Sequence, residues 1–190
     1  MAAVEKLISS SELIDTLHST TLVEDSTILP YEHSTITIKE MDVEEIAPTT
    51  LYVVKKGLQF QRSLRQTLQS VGHDPLWLEG GLRLEHKGQR VGLIPPIVED
   101  DPDHGPCLID GAHRVYNGRK VGQATIRVIH ILNVLPSTPI YAHPNTWDEI
   151  IEYDEIPSNP ELKKRYRDNP RSLYRDFSSI NGSVMREATS

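Results

Sequence analysis

The sequence predicts an α/β fold, a small mixed β-sheet with helices packed against it. Three observations carry that expectation. An apolar run at residues 94–98 is followed by a turn-rich stretch at 99–106 and a second apolar run, Cys107-Leu108-Ile109. Asp110-Gly111 then breaks the run, and a short helix pattern opens with His113 and Arg114 in its first turn and stops at Gly122. Residues 125–134 (TIRVIHILNV) follow as a buried strand. Strand, loop, strand, Asp-Gly, helix, strand is a particular order of elements.

The upstream chain supplies the other layers. Residues 5–18 place Leu7, Ile8, Leu13, Ile14 and Leu17 at the spacing of a short amphipathic helix, broken near Ser9-Ser10-Ser11, with Ser10 or Ser11 as the cap of its second part. Residues 35–39 (TITIK) alternate as a half-buried strand does, and 43–48 read as the turn out of it. The clearest helix is 57–72, where Phe60, Leu64, Leu68 and Val71 share one face and Gly72 is the stop. Residues 76–92 alternate on each side of Gly80-Gly81 and read as a hairpin or as a glycine-hinged flap. Beyond Val134, six prolines (136, 139, 144, 157, 160 and 170) leave room for one short helix near 146–153.

Composition narrows the class. A chain of 190 residues with 37% apolar and 25% charged residues fits one globular domain, with or without tails. No apolar run is long enough to span a bilayer, and Met1–Ser10 lacks the features of a signal peptide. The single cysteine, Cys107, suits a reducing cytoplasm, which is the expected location. A net charge of −7 argues against duplex binding by the whole surface. Charge is uneven, however. Residues 1–50 hold ten acids against Lys6 and Lys39, whereas 51–70 hold Lys55, Lys56, Arg62 and Arg65 and no acid. The acidic lead is expected to pack on this basic helix; the alternative is that the helix faces an anionic ligand. In 161–190, Lys163, Lys164, Arg165, Arg167, Arg171, Arg175 and Arg186 interleave with Tyr166, Tyr174 and Phe177. That mixture suits either a solvated helix docked on the core or a nucleic-acid surface, with the last residues disordered.

The chemistry centres on Asp110 to Arg114. The first N–H groups of a helix lack internal partners and carry partial positive charge, so they form an anion site. Gly111 lets backbone approach a ligand, and Arg114 offers a donor fork suited to phosphate oxygens. The acids at 99–104 (EDDPDH) read as a solvated turn or, with substrate phosphates, as magnesium ligands. His104, Cys107, Asp110 and His113 do not have the spacing of a closed zinc site, Cys107 reads as a buried thiol, and no G-x-S-x-G is present.

Residues 94–131, IPPIVEDDPDHGPCLIDGAHRVYNGRKVGQATIRVIHI, resemble the core of the ParB/sulfiredoxin-like superfamily. Asp110, Gly111, His113 and Arg114 match its Asp/Gly-Gly-x-His-Arg loop, and residues 36–50 match more loosely. Members of that superfamily bind CTP, ATP or ADP at this loop. The resemblance is nearest to free serine kinases, which carry Asp-Gly-His-His-Arg. It implies a lead at 1–30, a nucleotide-binding domain at 31–135 and a proline-punctuated extension at 136–190. It further implies that Gly111, Ala112, His113 and Arg114 contact ATP or ADP, with CTP as the other nucleotide used in the superfamily. Asp110, Glu99 and Asp100 are then the candidate magnesium ligands. Sulfiredoxin chemistry needs a cysteine where Ala112 stands. The kinases place a catalytic glutamate after the proline that ends the first strand; here that stretch is Pro48-Thr49-Thr50, so Glu44 or Glu45 takes the role or the reaction differs. The implied function is a phosphotransferase acting on a small polar metabolite, with catalytic roles for His113, Asp110, Glu44 and Glu45. The alternatives are a nucleotide-switched, DNA-associated module and a phosphodiesterase or nuclease.

Overall fold

The structure, a computed structural model, describes residues 3–86 and 89–181. In chain order, β1 (Ala3–Ile8) leads into α1 (Ser10–His18), and β2 (Thr35–Asp42) passes through a 3-10 turn (Val43–Glu45) into β3 (Ala47–Pro48). β4 (Tyr52–Val54) runs straight into α2 (Lys55–Gln69), followed by the hairpin β5 (Gly81–His86) and β6 (Gln89–Leu93). Then come β7 (Ile97–Asp101), β8 (Gly105–Asp110), α3 (Ala112–Lys120) and β9 (Thr125–Leu132). Short pieces complete the chain: β10 (Ala142–His143), β11 (Ile151–Tyr153), β12 (Arg165–Tyr166) and α4 (Ser178–Asn181).

The mixed α/β class is as expected. Five strands form the main sheet in the order β2-β9-β7-β8-β3, with β2/β9 and β7/β8 antiparallel and β9/β7 and β8/β3 parallel. β9 explains its own composition. Ile126 and Val128 enter a layer with Leu58 of α2 and Val115 and Tyr116 of α3, while Ile129 and Ile131 pack with Leu13 and Leu17 of α1 and Ile180 of α4. A strand covered on both faces must be apolar at successive positions, not alternate ones. Pro48, which has no N–H to donate, sits in the edge strand β3.

A second sheet, β1-β5-β6, lies against α2. Leu64 and Leu68 of α2 are fully buried against Leu82, Leu84 and Val91 of this sheet. Burial of each leucine contributes about 1.5–3 kcal/mol. Gly72, with φ 84°, ends the turn after the helix as its position predicts, but Val71 lies beyond the helix and is exposed.

Several expectations change. Residues 3–8 form a strand paired with β5, because the sheet supplies a partner for a run too short to persist as a helix; the cap of α1 is Ser9, which accepts the Glu12 N–H. The hairpin of 76–92 exists, but its strands begin at Gly81; its connection, residues 87–88, lies outside the described residues. Glu99-Asp100-Asp101 belongs to β7, not to a turn, because Arg175, His130 and Arg167 come alongside its acids. Residues 146–153 form one 3-10 turn and β11, which adds parallel to β4, instead of a helix. The basic residues of α2 pair away from the acidic lead: Lys55 with Asp154, Arg62 with Asn117, and Arg65 with Asp74.

The extension packs on the core as irregular chain and not as one long helix. Arg167 pairs with Asp101, Arg165 with Glu149, and Arg175 with Glu99. Glu99 and Arg175 are 1% and 7% exposed, and Tyr31 donates a further bond to Glu99. Arg175 also donates to the carbonyls of Thr138, Pro139 and Leu173, so its fork is fully used. Arg186 and the expectation of disorder at 182–190 fall outside the described residues.

Candidate functional site

Parallel pairing of β3 and β8 brings Thr49 and Thr50, just past the end of one strand, beside Asp110 at the end of the other. α3 starts at once. Gly111 makes that possible with φ 93°; a Cβ there would lie 3.0 Å from Pro96 and 3.2 Å from an Arg114 nitrogen in a conformation that side chains other than glycine's strain to adopt. Gly111 offers no side chain as a cap, so the Ala112 and His113 N–H groups have no acceptor inside the helix.

These groups open on a cleft of about 360 Å³. One wall is polar: Thr49, Thr50, Asp110, His113, Arg114 and Lys164. The other is largely apolar, with Phe60 and Leu64 from α2, Val91 and Leu93 from β6, and Ile94. Tyr52 also lines the cleft, near Lys164, whose ammonium donates to the Tyr141 hydroxyl at 3.0 Å.

Electrostatics distinguish the polar groups. Burial raises the Asp110 carboxyl above the ordinary aspartate range, although Arg114, the Gly111 N–H and Lys164 pull it the other way. Arg114 is 6% exposed, and burial lowers it to about 10 against the pull of Asp110, so it stays charged at neutral pH. Its Nη1 donates to the Ile94 carbonyl at 2.6 Å and the Pro75 carbonyl at 3.3 Å. Arg114 therefore spends part of its fork tying the segments around 75 and 94 to α3, while its charge lines the cleft.

His113 has a structural bond. Its Nε2 accepts the Val54 N–H at 2.9 Å, which places the ring proton on Nδ1, and burial lowers its pKa. The neutral ring docks α3 onto the residue that starts α2. The catalytic role expected of His113 meets an obstacle: its acceptor nitrogen is already engaged. Gly57 makes the approach possible, because a Cβ there would lie 2.8 Å from the His113 Cδ2.

Other expected residues lie elsewhere. Glu44 accepts from Arg119 at 2.7 Å, near the far end of a helix about 13.5 Å long; its side chain is 63% exposed, and Glu45 is exposed as well. Neither lines the cleft. Glu99 is closed off by Tyr31 and Arg175, and Asp100 lies 2.6 Å from His130 Nε2. Asp100 faces Pro106 across β8, four residues and about 13 Å of strand from Asp110, so these acids do not converge on one ion. Among the described residues, no group of three His, Cys, Asp or Glu side chains could hold a metal. Asp110 alone would then supply a protein carboxylate, the mode in which magnesium is held with substrate phosphates. Cys107 is buried and its thiol is pushed up to about 12, first by burial and then by Asp101, which suits a packing role.

A family model, the ParB CE domain, matches residues 12–151. The chain belongs to that family. The match runs from α1 to the start of β11 and includes Asp110 to Arg114, whereas Lys164 lies beyond the ParB CE segment. No curated protein matches the chain. Among solved structures, protein Atu1540 from Agrobacterium tumefaciens is similar at 14% identity and a TM-score of 0.35, over 52% of this chain and 40% of that one. No described helix is long and apolar enough to cross a membrane.

Lys164, Gln61 and Tyr52 reach the cleft without being singled out beforehand. Lys164 could not be distinguished from its basic neighbours, since its position depends on how irregular chain folds back. Gly57 did carry a signal, a glycine near the start of a strong helix pattern, where close approach is the usual reason for it.

Proposed function

We propose that the ParB CE domain cleft binds a nucleotide and transfers its terminal phosphoryl group to a hydroxyl of a small polar metabolite. The observation that supports this most is the start of α3, which opens without a side-chain cap beside one carboxylate and two cations. In this reading the Ala112 and His113 N–H groups and the Lys164 ammonium hold phosphate oxygens, and Arg114 supplies fixed positive charge behind them. The apolar wall of Phe60, Leu64, Val91 and Leu93 receives the base. ATP or ADP is the donor on this reading, with CTP as the alternative.

Phosphoryl transfer needs mainly positioning and charge neutralisation. The acceptor oxygen attacks the terminal phosphorus, the bond from that phosphorus to the bridging oxygen breaks, and the shortened nucleotide leaves with the electron pair. The acceptor proton passes to Asp110, whose raised pKa brings it closer to the working range of a general base. His113 positions α3. Magnesium arriving with the nucleotide would take one Asp110 oxygen and neutralise phosphate charge.

A second reading is a nucleotide-switched binding module. It is favoured by the cleft lining itself, where Asp110 is the one carboxylate among the described residues. One experiment separates the two. The protein is incubated with magnesium and ATP or ADP and a panel of hydroxyl-bearing amino acids, and products are followed by phosphorus NMR. Transfer predicts a new phosphomonoester and a loss of rate of about 10²-fold or more in Asp110→Asn. Nucleotide that binds and is recovered unchanged supports the module, and free phosphate without an acceptor product would identify hydrolysis.

A further inference from the structure

A second cavity, of about 380 Å³, lies between α2 and α3. Arg62 and Arg65 line it from α2, and Arg114 and Lys120 from α3; among the described residues no carboxylate does. Gln61 and Arg114 belong to both cavities, so the groove and the cleft adjoin at these two side chains.

The four cations are not equivalent. Arg65 is held by Asp74 through Nε and Nη2, at 3.1 and 2.8 Å. Lys120 lies 3.3 Å from Glu152, and the Asp110 charge acts on Arg114. Arg62 is in no salt bridge among the described residues, although Glu152 feels its charge, and its Nε donates to the neutral Asn117 side chain at 3.0 Å. That bond, with the Asn117 amide donating to the Leu58 carbonyl at 2.9 Å, fixes the guanidinium over the groove and leaves its two Nη groups to donate. Gln61, whose side chain borders both cavities, carries an unmet acceptor that a ligand reaches once the amide turns toward the groove. Its Oε1 is buried without a hydrogen-bond partner, and an unmet buried acceptor costs about 1–3 kcal/mol.

We infer that the α2–α3 groove is a second ligand site, for a small metabolite carrying an oxyanion and a nearby hydroxyl or amine. The oxyanion, a carboxylate or a phosphomonoester, takes the Arg62 Nη donors with Arg65 and Lys120 around it. The ligand's O–H or N–H donates to Gln61 Oε1. The volume suits a small molecule, and the site uses Arg62 and Arg65, two of the four cations of α2. The inference rests on the groove and stands whether or not the cleft transfers phosphate.

The test is calorimetric titration of the full chain with citrate and with glycerol 3-phosphate, which separate the two oxyanion sources, and with glucose and acetate as probes lacking one feature each. Binding of citrate or glycerol 3-phosphate at millimolar concentration or below is expected, with glucose and acetate weaker. Arg62→Gln should weaken it about tenfold or more, since a charge-assisted bond is lost. Lys56→Gln, an equal charge change elsewhere on α2, and Lys164→Gln, in the cleft, should leave it unchanged. Equal weakening by Lys56→Gln would reduce the effect to diffuse attraction and overturn the site. Weakening by Lys164→Gln without an effect of Arg62→Gln would place the anion in the cleft and also overturn it. Silence with both anions would overturn it, as would binding of a duplex oligonucleotide in their stead.

Discussion

At Gly57 two physical effects oppose each other. Alanine is favoured over glycine in a helix by about 1 kcal/mol. Its Cβ, however, would stand 2.8 Å from an imidazole that the Val54 N–H pins in place. Steric overlap in a packed site costs about 1–3 kcal/mol, so Gly57→Ala is expected to destabilise the domain in urea denaturation despite the gain in propensity. A more stable variant would mean that the ring moves freely. Asp110 gives the reverse sign: its raised pKa means that the folded state disfavours the ionised form. Asp110→Asn should therefore be more stable than the wild type at pH 7 while losing transfer. At this scale the Asp110–Arg114 loop was legible in the sequence, because turn and helix-start chemistry is local. The engagement of His113 by Val54 and of Arg114 by Ile94 was not, since those partners come from segments 59 and 20 residues away.

Among the elements, β8, β9 and α2 follow their patterns because their apolar residues match the faces they bury, both faces in the case of β9. β1 and β11 were misread for one reason: strands of six and three residues take their identity from the neighbour that pairs with them. β7 was cut short because Glu99, Asp100 and Asp101 look like a solvated turn until Arg175, His130 and Arg167 are brought alongside. This predicts what fastens the extension. Removing one partner of a buried ion pair costs about 3–5 kcal/mol, because the other charge stays buried. Arg175→Ala should lose stability on that scale, whereas Arg165→Ala, at an exposed residue, should change it by less than about 1 kcal/mol. Equal effects would contradict the picture of Arg175 as a buried anchor.

For the whole molecule, pH couples the site to stability. His113 has a lowered pKa in the fold, so the unfolded chain binds its proton more readily. Its contribution is complete above the unfolded value near 6.5 and is lost as pH falls below it. Asp110 acts oppositely: its raised pKa makes the folded state the better proton acceptor, so stability returns as pH falls through the folded value toward 3.8. Between pH 7.5 and 5.5 the histidine effect should be visible as a larger loss of unfolding free energy in the wild type than in His113→Gln. Parallel curves would show that the ring titrates as it does in the unfolded chain.

The central claim is that the cleft at the start of α3 takes nucleotide phosphates. Its most direct test is the melting temperature of the wild type and of Lys164→Gln with magnesium and ATP, ADP, CTP or GTP. A ligand that binds the folded form alone at 100 times its Kd stabilises by about 2.7 kcal/mol. The account predicts a clear upward shift with at least one nucleotide and a much smaller one in Lys164→Gln. A folded wild type whose melting point none of the four nucleotides moves would contradict it.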